Sequence, residues 1–212
     1  MKTQREKSIR NKNALIVFAK PPIAGFAKTR LISALGEVGA AEFHAKLLDH
    51  TLQHVVSKSL WDTYLWCAQE PNHPFFQRCF SRYDIHLQAQ TQGDLGQRMT
   101  HAMQSMLYEY EKVCIVGADC PLMNAEKIKQ AFADLHSQND VVVTPAEDGG
   151  YVLMAVMLQL NPAVFSGVRW GGESVFRQIL KNLRHLKLTP IIQSTLWDID
   201  TPEDLHRVLL HG

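Results

Sequence analysis

The feature that most constrains this chain is its alternation of strand-like apolar runs with helical periodicity along nearly its whole length. Strand-like runs fall at Ala14–Ala19, Thr63–Ala68, Ile85–Gln90, Val113–Gly117, Asp140–Pro145, Tyr151–Val156 and Leu188–Gln193. Helical spacing appears over Val38–Ser57, Leu95–Glu111, Ala125–Ser137, Glu173–Leu183 and Pro202–Leu210. In the first of these helices Ala41, Ala45, Leu48, Leu52 and Val55 make one apolar stripe. Such alternation predicts an α/β domain with a mainly parallel sheet. Asp148-Gly149-Gly150, set between two apolar runs, predicts a tight hairpin and hence one antiparallel strand. No repeat, low-complexity segment or linker divides the 212 residues, which are long enough for one domain with a substantial core.

Charge excludes several classes of function. Residues 1–12 hold Lys2, Arg5, Lys7, Arg10 and Lys12 against Glu6, a net +4, so the other 17 basic and 20 acidic residues carry −3. A body of that sign does not offer a basic face to nucleic acid. The basic segment 1–12 reads as a flexible tail, and residues 13–212 as the domain. With no apolar stretch behind its charges, the tail is not a secretory signal, and no run of 18 apolar residues predicts a membrane span. Cys67, Cys79, Cys114 and Cys120 form no CxxC pair and read as buried free thiols of a cytoplasmic protein. His50 and His54 share a helix face by spacing alone, as an incidental surface pair.

In an open α/β sheet, ligands bind beyond the carboxyl ends of the strands, so the loops there carry the chemistry. The loop after the first strand brings together Lys20, Gly25, Lys28 and Arg30. It matches neither GxxxxGK[ST] nor GxGxxG, yet three cations in a slightly acidic body suit a polyphosphate; the alternative is a solvated basic loop. In Gly93-Asp94-Leu95-Gly96-Gln97-Arg98, Asp94 is a helix N-cap with Gln97 as its capping-box partner. The free N–H groups there, the glycines and Arg98 also suit a nucleotide base or phosphate. Asp119 stands just past the central run Val113–Val116, before Pro121, where a carboxylate is costly unless paired or metal-bound; the alternative is an N-cap or turn aspartate. Glu147, Asp148, Gly149 and Gly150 serve the hairpin turn, contact an acceptor or sugar, or do both. Trp170 either flanks an acceptor pocket or anchors packing. In Asp198-Ile199-Asp200-Thr201-Pro202-Glu203-Asp204-Leu205, Thr201 to Asp204 start a helix, whereas Asp198 and Asp200 have no role in that start. An extended segment points both acids to one side and Ile199 to the other.

Taken in order, Phe18-Ala19-Lys20-Pro21 to Gly25, Lys28-Thr29-Arg30-Leu31, Gly93 to Gly96, Gly117-Ala118-Asp119-Cys120-Pro121, Glu147 to Tyr151 and Asp198 to Leu205 resemble the nucleotide-diphospho-sugar transferase (GT-A) superfamily. The match is closest to its small bacterial glycosyltransferase-like members described as radical-SAM/selenodomain-associated transferases. Lys28 to Leu31 looks like the triphosphate loop of 2-phospholactate guanylyltransferase. Ile199 to Leu205 looks like the end of CMP-Kdo synthetase, where the aspartate matching Asp200 helps bind magnesium. One departure is Gly171-Gly172 after Trp170, where the family carries a hydroxyl residue, which leaves the acceptor role of that loop open.

The resemblance implies a GT-A-like three-layer sandwich, with a mixed, mostly parallel sheet and helices on both faces. It implies a Mg²⁺- or Mn²⁺-dependent transferase that takes a nucleotide or nucleotide sugar and a small acceptor. Lys28, Arg30, Asp119 and Asp200 are its catalytic candidates, and Asp119 with Asp200, or with Asp198, its metal ligands. The family's naming favours glycosyl transfer from an NDP-sugar. Glycosyl transfer is accordingly the main reading; the alternative, which the cationic loop suits, is nucleotidyl transfer joining an NTP to a small phosphorylated or sugar acceptor with pyrophosphate release, and a nucleotide-binding protein without turnover is the third.

Overall fold

The computed structural model describes residues 11–137, 140–157 and 159–211, with β1 (Asn13–Ala19) in the interior of a mixed sheet. Nearly every β1 residue is buried because helices cover both sheet faces, which is why the strand reads as a continuous apolar run. Around it lie β2 (Asp62–Cys67), β3 (His86–Ala89), β4 (Lys112–Val116), β5 (Asp140–Pro145), β6 (Tyr151–Val156) and β7 (Thr189–Ile192), in the order β3-β2-β1-β4-β6-β5-β7. The pairs β1–β2, β2–β3, β1–β4 and β5–β7 are parallel. Only β6 runs antiparallel to its neighbours, β4 and β5, as the Asp148-Gly149-Gly150 turn predicts.

The helices are α1 (Ile32–Val55), α2 (Pro74–Arg82), α3 (Leu95–Leu107), α4 (Ala125–Asp134), α5 (Val175–His185) and α6 (Pro202–His211). One core joins Leu15, Val17 and Val116 to α1, α2 and α4. The other joins Ile16, Trp66 and Ile115 to α3 and α5. Alternate residues of β1 and β4 thus feed opposite layers, and a single-domain α/β sandwich results. The predicted start of α1 at Val38 has a physical counterpart in Gly36, whose φ of 70° breaks the helix two residues earlier. The sequence reading missed α2. It has only nine residues, and its N-cap is His73, whose ring accepts from the Phe75 N–H, an unusual cap ahead of Pro74.

Of the basic segment, residues 1–10 lie outside the described residues. Lys12 pairs with Glu111 at 2.8 Å, and Asn11 donates to Asp62 at 2.7 Å. The four cysteines are buried and unpaired, and burial raises each thiol pKa, to about 12 for Cys67 and about 11 for Cys79 and Cys120. No helix among the described residues is long and apolar enough to cross a membrane.

The chain passes from β1 through β2 and β3 on one side of the sheet, then returns to β4 on the other. The carboxyl ends of β1 and β4 therefore flank the switch point where a crevice forms.

Candidate active site

Three segments meet at that crevice. The first leaves β1 through Pro21 and Pro22 and is closed by N–H bonds from Phe26 and Ala27 to the Ile23 carbonyl. It delivers Lys28 in the left-handed region (φ 48°, ψ 48°), just before a short 3-10 helix, Thr29–Leu31. The second is Gly117 to Asp119, at the end of β4. The third follows β7. Leu196 continues the sheet beside Ala146, and the Ile199 N–H then donates to the Asp119 carbonyl at 3.0 Å. Trp197 and Ile199 are buried against Leu31, Ala40 and Leu47, which turns Asp198 and Asp200 the other way. That local alternation, rather than sequence proximity, brings acids some 80 residues apart into one place.

The centre of the site is Lys28. Its side chain is only 4% exposed, and its ammonium lies 2.9 Å from Asp119 Oδ1 and 3.4 Å from Asp200 Oδ1, and donates to the Ile199 carbonyl. Arg30 holds the other Asp200 oxygen at 2.7 Å. Asp204 fixes the Asp200 backbone, because its carboxylate accepts from the Asp200 N–H, the Thr201 N–H and the Thr201 hydroxyl. Thr201 is therefore a donor here. The acid at the third helical position does the capping, and those bonds hold the Asp204 pKa below the usual carboxylate value although burial opposes them.

Sequence reasoning missed His44. It sits on α1, 6% exposed, and its Nε2 meets the Lys20 carbonyl at 2.9 Å. A carbonyl only accepts, so Nε2 carries the proton and Nδ1 presents a bare lone pair. Nδ1 has no hydrogen-bond partner and lies 3.9 Å from Asp119 Oδ1. Burial lowers the His44 pKa against the pull of Asp119, so the ring is neutral near pH 7. Asp119 Oδ1 also has no hydrogen-bond partner, and its 2.9 Å approach to Lys28 is an ion pair. Two unpartnered acceptors 3.9 Å apart, with one ammonium on Asp119, leave room in the chemistry for a further cation. The signal in the sequence was a lone histidine within an apolar stripe, which more often marks a packed core residue.

The crevice has two chambers that share Phe18, Leu95 and Gly117. The polar chamber, about 460 Å³, gathers Lys20, Lys28, Arg30, His44, Arg98, Asp119 and Asp200. The apolar chamber, about 220 Å³, is lined by Met99, Tyr151, Trp170 and Val175, with Asp148, Gly150, Gly171 and Gly172. Arg98 is steered by Gln90, whose side-chain oxygen accepts from it at 2.6 Å. A larger groove between α1 and α2 lies apart from these charges.

Other predicted residues fall elsewhere. Asp94 and Gln97 complete the expected capping box, and Asp94 and Gly96 face a different groove, beside Pro162. A Cβ on Gly96 would stand 2.6 Å from Phe165 and 3.0 Å from Trp170, so this glycine is a packing requirement. A Cβ on Gly93 would strike the Gln97 side chain, and Gly25 supplies a turn with φ of 78°. Gly149 packs on the Glu173 backbone, where a Cβ would come within 2.1 Å of its carbonyl oxygen. Glu147 lines neither chamber. It pairs with Arg207 at 2.7 Å, and that guanidinium lies over the Trp197 ring, which ties α6 to the hairpin.

Asp198 is half-buried and lines neither chamber. Burial, and then the Asp148 and Asp119 carboxylates, raise its pKa to about 6. A carboxyl raised in the fold from an ordinary value of 3.8 binds more protons folded than unfolded. Its stabilising effect is complete below pH 3.8 and is lost as pH rises through about 6. Asp198→Asn is therefore expected to unfold at higher denaturant than wild type at pH 7.5, by about 1–2 kcal/mol after allowance for solvent screening, and to show little gain at pH 4. Equal gains at both pH values would exclude this charge as the cause.

The family profile described as "Uncharacterized protein conserved in bacteria (DUF2064)" matches residues 51–172. A 2-phospho-L-lactate guanylyltransferase from Methanothermobacter thermautotrophicus is 30% identical over 129 residues, which are 59% of this chain and 55% of that protein. One from Methanocaldococcus infernus is 30% identical over 130 residues, 59% of this chain and 57% of that protein. The chain thus spans little more than half the length of these curated relatives. The crystal structure of a candidate nucleotide-diphospho-sugar transferase from Desulfovibrio desulfuricans superposes with a TM-score of 0.82 at 29% identity, covering 93% of this chain and 86% of that one. A cytidylyltransferase from Leptospira borgpetersenii shares the fold alone, with a TM-score of 0.61 at 14% identity over 94% of this chain and 85% of that one. The fold is nucleotide-diphospho-sugar transferase-like, as the sequence motifs imply.

Proposed function

The chain belongs to the DUF2064 family of bacterial proteins, and from its guanylyltransferase relatives and the crevice we propose that it is a nucleotidyltransferase, joining an NTP to a small acceptor with release of pyrophosphate. The observation that carries this reading is the buried Lys28 ammonium gripping Asp119 and Asp200 at the sheet's switch point, with Lys20, Arg30 and Arg98 around one chamber. Cations so grouped suit a triphosphate and neutralise the charge that grows on departing pyrophosphate. The relatives named 2-phospho-L-lactate guanylyltransferase support nucleotidyl transfer over the glycosyl transfer that family naming favours. The likeness to radical-SAM/selenodomain-associated transferases rests on the motifs alone.

The donor set fits a magnesium ion. No group of three or more His, Cys, Asp or Glu among the described residues gathers closely enough to hold a metal unaided. Mg²⁺ instead takes one or two carboxylates and completes its shell with water and substrate phosphates, which matches Asp119 and Asp200. Asp200 lines the chamber and Asp198 does not, which supports Asp200 as the second ligand. The ion, Mg²⁺ or Mn²⁺, would supply charge neutralisation on the phosphates. Lys28 and Arg30 would bind and orient the β- and γ-phosphates, and Asp204 would hold Asp200 in place. No covalent nucleophile is required, because positioning and electrostatics suffice for in-line displacement at phosphorus.

The test is pyrophosphate release over a panel of NTPs and acceptors with Mg²⁺, run beside NDP release over a panel of NDP-sugars. Pyrophosphate from NTPs is the expected product. Turnover of NDP-sugars alone would return the protein to glycosyl transfer, and nucleotide binding without turnover would make it a binding protein.

A further inference from the structure

We infer that the acceptor is an uncharged molecule presenting a hydroxyl, seated in the apolar chamber and oriented by Asp148. The inference rests on the nucleotidyltransferase reading and adds the chemical class of the second substrate.

Among the described residues, no Lys, Arg or His lines the apolar chamber, and Asp148 is its only charged residue. A phosphorylated or carboxylated acceptor seated there would bring negative charge against Asp148, with the cations confined to the adjoining chamber. The remaining walls are Phe18, Leu95, Met99, Tyr151, Trp170 and Val175, which suit an apolar or ring-bearing body. Size sets a further limit, since a dry cavity of about 150 Å³ takes one benzene. A chamber of 220 Å³ admits a single ring or a short branched chain, and not a second nucleotide.

The junction between the chambers is built for through-passage. Gly117 lines both, its φ is not positive, and a Cβ there would meet nothing within 4 Å. Neither backbone strain nor packing explains that glycine, whereas a side chain would project where the acceptor must reach the nucleotide.

In the step that follows, the acceptor hydroxyl oxygen bonds to the α-phosphorus. The bond from that phosphorus to the oxygen bridging toward the β-phosphate breaks, and pyrophosphate leaves with that electron pair. The hydroxyl proton passes to the Asp148 carboxylate and then to solvent. Asp148 already accepts from the Gly150 N–H at 2.7 Å through Oδ1, which fixes its orientation and leaves Oδ2 for the hydroxyl.

The experiment compares pyrophosphate release from each NTP with two acceptor sets, uncharged cyclic and branched alcohols and their phosphorylated or carboxylated counterparts, alongside NTP binding by thermal shift. Release with uncharged alcohols at about tenfold or more over the anionic set is the expected result. Asp148→Asn should lower that release about a hundredfold with NTP binding unchanged. Gly172→Lys, which adds a cation at the chamber rim on an exposed residue, should raise use of anionic acceptors without touching Asp148. Release with anionic acceptors only, release with neither set, or competition between uncharged alcohols and NTP for one site would each overturn the inference while NTP binding stands. Failure of every NTP to bind would instead overturn the nucleotidyltransferase reading from which it starts.

Discussion

Asp119→Asn is expected to lower NTP affinity in the presence of Mg²⁺ about a hundredfold, to remove the dependence of that affinity on Mg²⁺, and to leave the fold within about 1 kcal/mol of wild type. The asymmetry follows from the geometry. The amide keeps an oxygen that can still face Lys28 at the same place, so the packing of the Gly117–Asp119 loop against Ile199 is undisturbed. Its side chain is also 43% exposed, so the lost ion pair is partly screened by water. What disappears is the negative charge, which a divalent ion held here would need. The check is a fluorescent-nucleotide titration with and without Mg²⁺, paired with urea unfolding. A variant that unfolds readily yet binds normally per folded molecule would make Asp119 a structural residue and sink the metal assignment.

Much of this arrangement was legible before any coordinates, and the exceptions have physical causes. Sheet and helices follow from periodicity, because a strand buried on both faces and a helix with one apolar stripe leave different spacings. The β6 reversal followed from one Gly-rich turn. The convergence of Asp119 and Asp200 followed from their positions beyond strand ends, although the bonds that enforce it, from Ile199 to Asp119 and from Asp204 to Asp200, are local details no pattern announces. Glycines misled the reading most. Gly96 and Gly149 looked like approach points for a ligand, but each is small because a neighbouring element lies against it. Gly117 was quoted only as part of a motif, and it is the one at the chamber junction with no such neighbour. Glu147 was misplaced for a related reason. An acid next to a turn has two faces to choose from, and Arg207 on α6 decided the choice. His44 was invisible because its role depends on an unpartnered nitrogen, which only packing can create.

Lys28→Met carries the largest expected effect, because one ammonium performs two tasks. Methionine matches its reach and keeps the left-handed backbone, but it offers neither charge nor donor. If the ammonium binds the triphosphate, turnover should fall by about 10²–10³, the range seen when one transition-state donor is deleted. The second task concerns the empty protein. Lys28 stands between Asp119 and Asp200, and without it these two carboxylates keep, among the described residues, Arg30 as their ion-pairing cation. The variant should therefore lose about 1–2 kcal/mol of stability in metal-free buffer, less than a fully buried pair would lose because both acids are part-exposed. On the proposed metal site, Mg²⁺ should restore more stability to the variant than it adds to wild type, since a divalent ion would replace the missing charge at the same two carboxylates. Thermal unfolding of both proteins across a Mg²⁺ titration decides the matter. Equal Mg²⁺ responses would mean that the ion does not share Asp119 and Asp200 with Lys28, and the metal would have to be sought elsewhere in the crevice.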